Sequence, residues 1–262
     1  HVLAPVWMRR GLCAICAITR VVGSHGLAPL VPRPLVRPAS MASMASTTAG
    51  AGLSDVATDG APSKANDTTV VAWRERIDGS IARSRKVRGG NFVQIATVDQ
   101  EGRPHARTVV FRGFETLDGR DSMKMITDAR SSKCSEIRAS PACEMVWWFS
   151  KSSEQYRISG ELELIGDEAE GERRAARKQQ WGNLSDKARE QFYWHQPGAA
   201  FSGEPTVPAA GRDADGRVLE PPPDFLLMLL HPRRVHYLRL TDNFAQADEA
   251  TEGDWSAARV NP

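Results

Sequence analysis

A chain of 262 residues, 41 % of them hydrophobic and 25 % charged, has enough apolar material for one large or two small packed domains and is not globally disordered. A formal net charge of only +2, with no Lys/Arg stripe, argues against nucleic acid or any general polyanion as a partner. No apolar run approaches the ~20 residues that cross a bilayer, so a soluble protein without a membrane partner is expected.

In chain order, the first segment differs in kind from the rest. Between His1 and Leu53 there is no Asp or Glu, while Arg9, Arg10, Arg20, Arg33 and Arg37 are scattered among Ala, Val, Ser and Pro. Such a composition predicts an organelle transit peptide or disordered leader over residues 1–66. Chloroplast is the first destination and mitochondrion the alternative; translation starting near Met41 would leave the protein in the cytoplasm. Cys13 and Cys16 form a CxxC inside this leader, but no second Cys or Cys/His pair completes a zinc site, and no metal is expected. Cys134 and Cys143 are expected to be reduced thiols.

The folded domain is expected over residues 67–262. Asn66 or Asp67 is a possible cap for a helix in which Val70, Trp73, Ile77 and Ile81 recur at helical spacing. After "RGGN" the period changes to two: "FVQIATV" and "HARTVVF" form a hairpin across "DQEGRP". The Asp-Gly turn of "LDGR" precedes the strand "SMKMIT", and "SSKCSEIRAS" is a short helix closed by Pro141. Two more strands follow, "CEMVWWF" and "EQYRISGELELI". Residues 168–196 read as two helices broken near Gly182–Ser185, with Ser185 as a cap. Residues 197–223 are a long Gly/Pro-rich flexible loop, and "DFLLMLLHPRRVHYLRL" gives two strands hinged at Pro232. Six or seven short strands with few peripheral helices indicate a mainly β protein, a small antiparallel barrel.

Chemistry concentrates between Arg103 and Gln155. Arg107 and Arg112 flank a strand, and "ITDARSSK" carries Thr127, Ser131, Ser132 and Lys133 to the start of a helix. Unpaired N–H groups at a helix N-terminus, with hydroxyls and a lysine, make a phosphate cradle, and a guanidinium adds a two-pronged clamp. Gln155, on the following strand, can donate to and accept from the edge of a heteroaromatic ring. Taken singly, a strand arginine is a solvated edge residue and Ser-Ser-Lys a helix cap. Their conjunction on adjacent hairpins points to a phosphate-bearing planar ligand at a barrel mouth. One detail fits awkwardly: Arg107 and Arg112 are five apart, so an ideal strand sends them to opposite faces.

The order "GRPHARTVVFRGF", "MITDARSSKCSEIRASPACEMVWWF", "EQYRISGELELI" and the terminal "ARVNP" resembles the pyridoxamine 5′-phosphate oxidase family of FMN-binding split barrels, over roughly Trp73 to Pro262. That resemblance implies a homodimer with FMN at its interface. It implies FMN contacts from Arg107, Thr108, Val109, Val110, Arg112, Ile126, Thr127, Ser131, Ser132, Lys133 and Gln155. Arg107 would take the phosphate, Arg112 stands where the family has Lys, and Ser132 replaces the middle Arg of the family's Ser-Arg-Lys. The implied reaction oxidises the C4′ amine or alcohol of a phosphorylated pyridine to pyridoxal phosphate, with oxygen as acceptor and the flavin carrying the chemistry. On the substrate side Arg112 and, after Gly160, Arg189 are the implied contacts, with Trp181 and Ser185 as loose counterparts nearby. The family's Arg-Leu-His substrate triplet falls, by the register that Pro232 sets, on Asn243–Ala245, where neither Arg nor His stands; "RVH" at Arg234–His236 is out of register. Weak turnover of pyridoxamine phosphate is therefore expected. The alternatives are an FMN-dependent reductase of another substrate and a non-catalytic flavin or haem binder.

Overall fold

The structure, a computed structural model, describes residues 68–262. The expected leader lies outside the described residues, as do the expected caps Asn66 and Asp67. The first helix, α1 (Trp73–Ser84), has Ala72 at its N-cap and no side-chain cap of its own. Its Trp73 N–H instead donates to Asp248 Oδ1 at 2.9 Å, from a strand 175 residues away. One of the orphan donors at a helix start is thus satisfied through tertiary structure rather than locally.

Strands β1 (Phe92–Val98) and β2 (Pro104–Val110) form the expected hairpin. A short strand that the sequence reading passed over, β3 (Phe114–Leu117), precedes β4 (Arg120–Asp128). Helix α2 (Ser132–Ala139) leads to β5 (Ala142–Phe149) and β6 (Glu154–Ile165). All pairings are antiparallel, in the order β2-β1-β5-β6-β7-β4-β3, where β7 spans Phe225–Arg239. The chain bends at Phe111–Gly113 between β2 and β3, and this bend closes the sheet into a barrel: Arg112 N–H donates to Lys124 O at 2.7 Å and Lys124 N–H to Gly113 O at 2.8 Å. Beyond that junction no ladder joins β2 to β4 among the described residues, so the barrel is split along one seam.

Strand β7 corrects the expectation of two strands hinged at Pro232. It runs unbroken for 15 residues. Its first half pairs with β4 and its second half with β8 (Phe244–Thr251), which in turn pairs with β9 (Asp254–Val260). Pro232 falls between the two ladders, opposite Gly160, where the β6–β7 register shifts. A proline costs no ladder bond at such a bulge. Gly160 is required there, because a Cβ would lie 2.1 Å from the His231 carbonyl oxygen.

Alternation along the strands fills the barrel with one aromatic-rich core. Phe111, Trp147, Phe149, Tyr156 and Tyr237 form a chain of ring contacts with centroids 4.6–5.5 Å apart. The polar tips of the tyrosines are satisfied: Tyr237 Oη donates to Glu154 Oε1 (2.7 Å), and Tyr156 Oη pairs with Ser80 Oγ (2.8 Å). Cys134 and Cys143 are buried free thiols, and burial pushes the Cys143 thiol up to about 12.

Outside the barrel, α3 (Gly171–Gly182) and the short α4 (Asp186–Glu190) are separated at the expected break, and a single 3₁₀ turn (Gln191–Tyr193) follows. Residues 197–223 contain one 3₁₀ turn and one isolated bridge. Their irregular backbone finds partners in buried side chains. Trp181 Nε1 donates to Leu219 O (2.6 Å), Arg177 to Pro222 O and Phe225 O, and Arg189 Nε to Ala210 O (3.0 Å). Among the described residues no helix is long and apolar enough to cross a membrane.

Candidate functional site

Where β2 and β4 part, a cleft of about 550 Å³ opens. Thr108, Val109, Val110 and Arg112 line it from β2 and the bend, and Ile126 and Thr127 from β4. Strand parity explains part of the set: Thr108 and Val110 share one side of β2, whereas Val109 packs against the core and still borders the cleft, and the bend at Phe111–Gly113 places Arg112 in its lining.

The floor of the cleft is the turn from β4 into α2. Lys133 Nζ donates to Thr127 Oγ1 (3.1 Å) and Ser131 Oγ (3.0 Å), and among the described residues no carboxylate lies within ion-pair distance of it. Burial lowers the Lys133 pKa; the Arg107 charge adds to this, against Cys134, Asp128 and Glu136, which favour the ammonium. A desolvated ammonium held only by two hydroxyls is a poor resting place for a charge and a good place for an anion. Asp128 also lines the cleft, but its carboxylate is engaged by Arg130 at 2.7 Å. Ser132 is exposed at the first residue of α2, beside this floor.

Two sequence-predicted residues stand apart from the cleft. Arg107 projects from the opposite face of β2, as its five-residue spacing from Arg112 implies. It donates to Thr97 Oγ1 and pairs with Glu136 of α2 at 2.8 Å. Burial works to raise the Glu136 carboxyl, but hydrogen bonds from Thr97 and Arg107 outweigh it and leave its pKa below the ordinary value. Gln155 lies on β6, opposite Trp148 on one side and Leu238 on the other, and does not line the cleft of its own chain.

The residues considered for the substrate divide similarly. Arg112 lines the cleft; Arg189 does not. Arg189 is 2 % exposed, with its guanidinium spent on Ala210 O, Leu184 O and Asp186. Trp181 is a core residue of the same small cluster, with Leu184, Phe192 and Phe225. Neither Arg234, His236 nor residues 243–245 line the cleft, and Arg234 pairs with Glu249 at 2.8 Å.

The far wall was not singled out from the sequence. It consists of Ala188, Gln191, Phe192, Trp194, His195 and Pro197. "FYWHQPG" reads as core aromatics when taken as helix. The signal to the contrary is Pro197-Gly198, which ends the helical run early. Helical geometry stops at Tyr193, Phe192 turns in, and Trp194, already extended, is left 49 % exposed.

Comparison with known proteins bears on what this cleft holds. Residues 70–166 match the family described as pyridoxamine 5′-phosphate oxidase, FMN-binding domain. A pyridoxine/pyridoxamine 5′-phosphate oxidase 2 from Arabidopsis thaliana is 33 % identical over 201 residues, which are 74 % of this chain and 99 % of that protein. The crystal structure of a pyridoxamine 5′-phosphate oxidase-related, FMN-binding protein from Nostoc punctiforme PCC 73102 superposes with a TM-score of 0.65 at 34 % identity, covering 74 % of this chain and all of the other. PhzG from Burkholderia lata 383, crystallised with tetrahydrophenazine-1-carboxylic acid, shares the fold at a TM-score of 0.51 and 19 % identity, over 72 % of this chain and 89 % of its own. The fold and these relatives define an FMN-binding split-barrel protein. The chain belongs to the pyridoxamine 5′-phosphate oxidase family of such flavoproteins, and its cofactor is FMN.

Proposed function

We propose that the protein is an FMN-dependent oxidase of a phosphorylated pyridine, acting on the C4′ amine or alcohol of pyridoxamine or pyridoxine 5′-phosphate. The observation that carries the reading is Lys133: a partly buried ammonium at the cleft floor, between two hydroxyls and, among the described residues, with no carboxylate at ion-pair distance. A phosphate dianion completes that arrangement. FMN, when bound, would supply the two-electron oxidation, with oxygen as the final acceptor. Lys133, Thr127, Ser131 and Ser132 hold its phosphate, with Arg107 adding charge from across β2. Thr108, Val109, Val110 and Ile126 flank the ring system, and Arg112 orients the substrate over it.

Gln155 enters through a second copy of the chain. The outward side of the sheet carries Val110, Phe92, Trp148, Gln155 and Leu238 in one cross-strand row, with Phe92 43 % and Trp148 42 % exposed. Exposed aromatics in a continuous row mark an interaction surface. A homodimer formed on this face supplies Gln155 to the cleft of the opposite subunit, which accounts for its distance from the cleft of its own. The acid-free residues 1–53 supply a plastid address; fused to a fluorescent protein in plant cells, residues 1–66 should reach chloroplasts, and a diffuse cytosolic signal refutes this.

The test of function is peroxide release by the FMN-loaded protein, with pyridoxamine and pyridoxine 5′-phosphates as separate substrates. Turnover of either, lost on removal of FMN, supports the reading. A protein that binds FMN and oxidises neither refutes the substrate while leaving the cofactor in place.

A further inference from the structure

The far wall of the cleft carries two side chains that the FMN contacts above leave unused. Trp194 and His195 line the same cavity as Arg112 and Lys133. Trp194 is held in place by its backbone: Arg130 Nη1 donates to its carbonyl oxygen at 3.1 Å, and the same guanidinium pairs with Asp128 (2.7 Å) and Asp224 (3.2 Å). The wall is therefore tied to the turn that carries the phosphate cradle. Two residues earlier, Phe192 is packed against Trp181 and Phe225, with ring centroids 5.8 and 5.0 Å away. His195 is exposed and makes no hydrogen bond among the described residues, and it is the one histidine among the residues that line the cleft. A half-exposed indole on a fixed support, next to an imidazole with both nitrogens open, matches a planar ring bearing an acidic hydroxyl.

We propose that Trp194 and His195 discriminate the substrate, which is a planar heteroaromatic phosphate ester. The indole packs on the face of its ring, and the imidazole hydrogen-bonds its ring hydroxyl or oxyanion. This inference rests on the function proposed above and names the residues that select its substrate. It also separates the two halves of the site: β2, β4 and α2 hold the cofactor, and the segment after α4 reads the substrate.

The experiment uses the full chain loaded with FMN. By calorimetry it is titrated with 4-deoxypyridoxine 5′-phosphate, which keeps the ring, hydroxyl and phosphate but cannot be oxidised at C4′. Trp194→Ala and His195→Ala should each weaken the analogue by about tenfold or more while changing FMN affinity by less than about twofold. Trp194→Phe and His195→Gln, which keep a ring and an N–H donor, should restore most of the loss. In turnover the alanine variants should raise KM more than they lower kcat. Unchanged analogue binding in both alanine variants overturns the inference, and so does a loss of FMN affinity equal to the loss of analogue, since the wall would then belong to the cofactor. A wild-type protein that binds FMN but not the analogue overturns the proposed substrate class and the inference with it.

Discussion

Replacing Lys133 by alanine removes the cation at the floor of the cleft. A hydrogen bond from an ammonium to a phosphate dianion contributes about 2–3 kcal/mol, so FMN affinity should fall roughly 30- to 150-fold. Riboflavin, with the same ring and no phosphate, should bind the variant as it binds the wild type. Burial sets Lys133 below the ordinary lysine pKa of 10.5, and this fixes two opposite pH slopes. As pH rises through the lowered pKa, the lysine loses its proton and FMN affinity falls. Over the same window the unfolded chain still holds the proton that the folded one has released, so the ligand-free protein gains stability as pH rises toward 10.5. Lys133→Ala should flatten both slopes. Flavin-fluorescence titration with FMN and riboflavin measures the first, and thermal melting of the ligand-free protein at several pH values the second. An equal loss of FMN and riboflavin would refute the assignment, because the lysine would then support the cleft rather than the phosphate.

Further outcomes concern the buried Glu154, the bulge at Gly160 and the proposed dimer face. Glu154 is 1 % exposed and bonded to Arg83, Ser152 and Tyr237, so Glu154→Ala should cost about 3–5 kcal/mol by chemical denaturation, leaving Arg83 without its buried partner. Burial tends to raise the Glu154 pKa, yet bonds from Ser152, Arg83 and Tyr237 hold it below 4.5; its stabilisation is present above that value and is lost as pH falls through the folded pKa, a loss that Glu154→Gln should remove from the acid limb of the melting curve. Gly160→Ala should destabilise by about 1–3 kcal/mol or more, because the obstructing atom belongs to backbone; a neutral result in denaturant titration contradicts the bulge geometry. If the proposed homodimer forms on the exposed aromatic row, Trp148→Glu should shift it to monomers in sedimentation velocity and weaken FMN; an oligomeric state equal to that of the wild type rules out that face.

What was legible in the sequence was local. The alternation of β1, β5 and the first half of β6 survives as alternating burial along each strand, and in β6 it lapses at the bulge. Thr108–Val110, Arg112, Ile126, Thr127 and Lys133 come together because they sit on two segments that one short bend joins. What was hidden depends on partners distant in the chain. No period reveals that Asp248 accepts the first N–H of α1, or that Pro232 lies at a bulge opposite Gly160 and so leaves β7 unbroken. A four-residue strand such as β3 has too few alternations to register. Arg189 falls where the resemblance implies a substrate contact, yet two of its acceptors, Ala210 O and Leu184 O, are backbone carbonyls that carry no sequence signature.

The opposite facing of Arg107 and Arg112 sets the electrostatics of the cleft. Strand parity sends one guanidinium to each side of β2, and the inner one, Arg107, pairs with Glu136 at 2.8 Å. Among the charged side chains that line the cleft, Asp128 is engaged by Arg130, and Arg112 and Lys133 bring two cationic groups to its lining. Two cations on the rim and floor of a partly desolvated gap favour a dianion over a monoanion, since each added charge gains from both. Phosphate is the dianion common to FMN and to the proposed substrate, so the same pair of cations can serve both only if the two phosphates occupy different ends. Lys133, held between Thr127 and Ser131, commits to the floor, while Arg112 lines the same cleft from the bend. Exchanging Arg112 for alanine should therefore raise the substrate KM more than it weakens FMN, the reverse of the pattern expected for Lys133→Ala; the same ranking for both variants would show that one anion uses both cations.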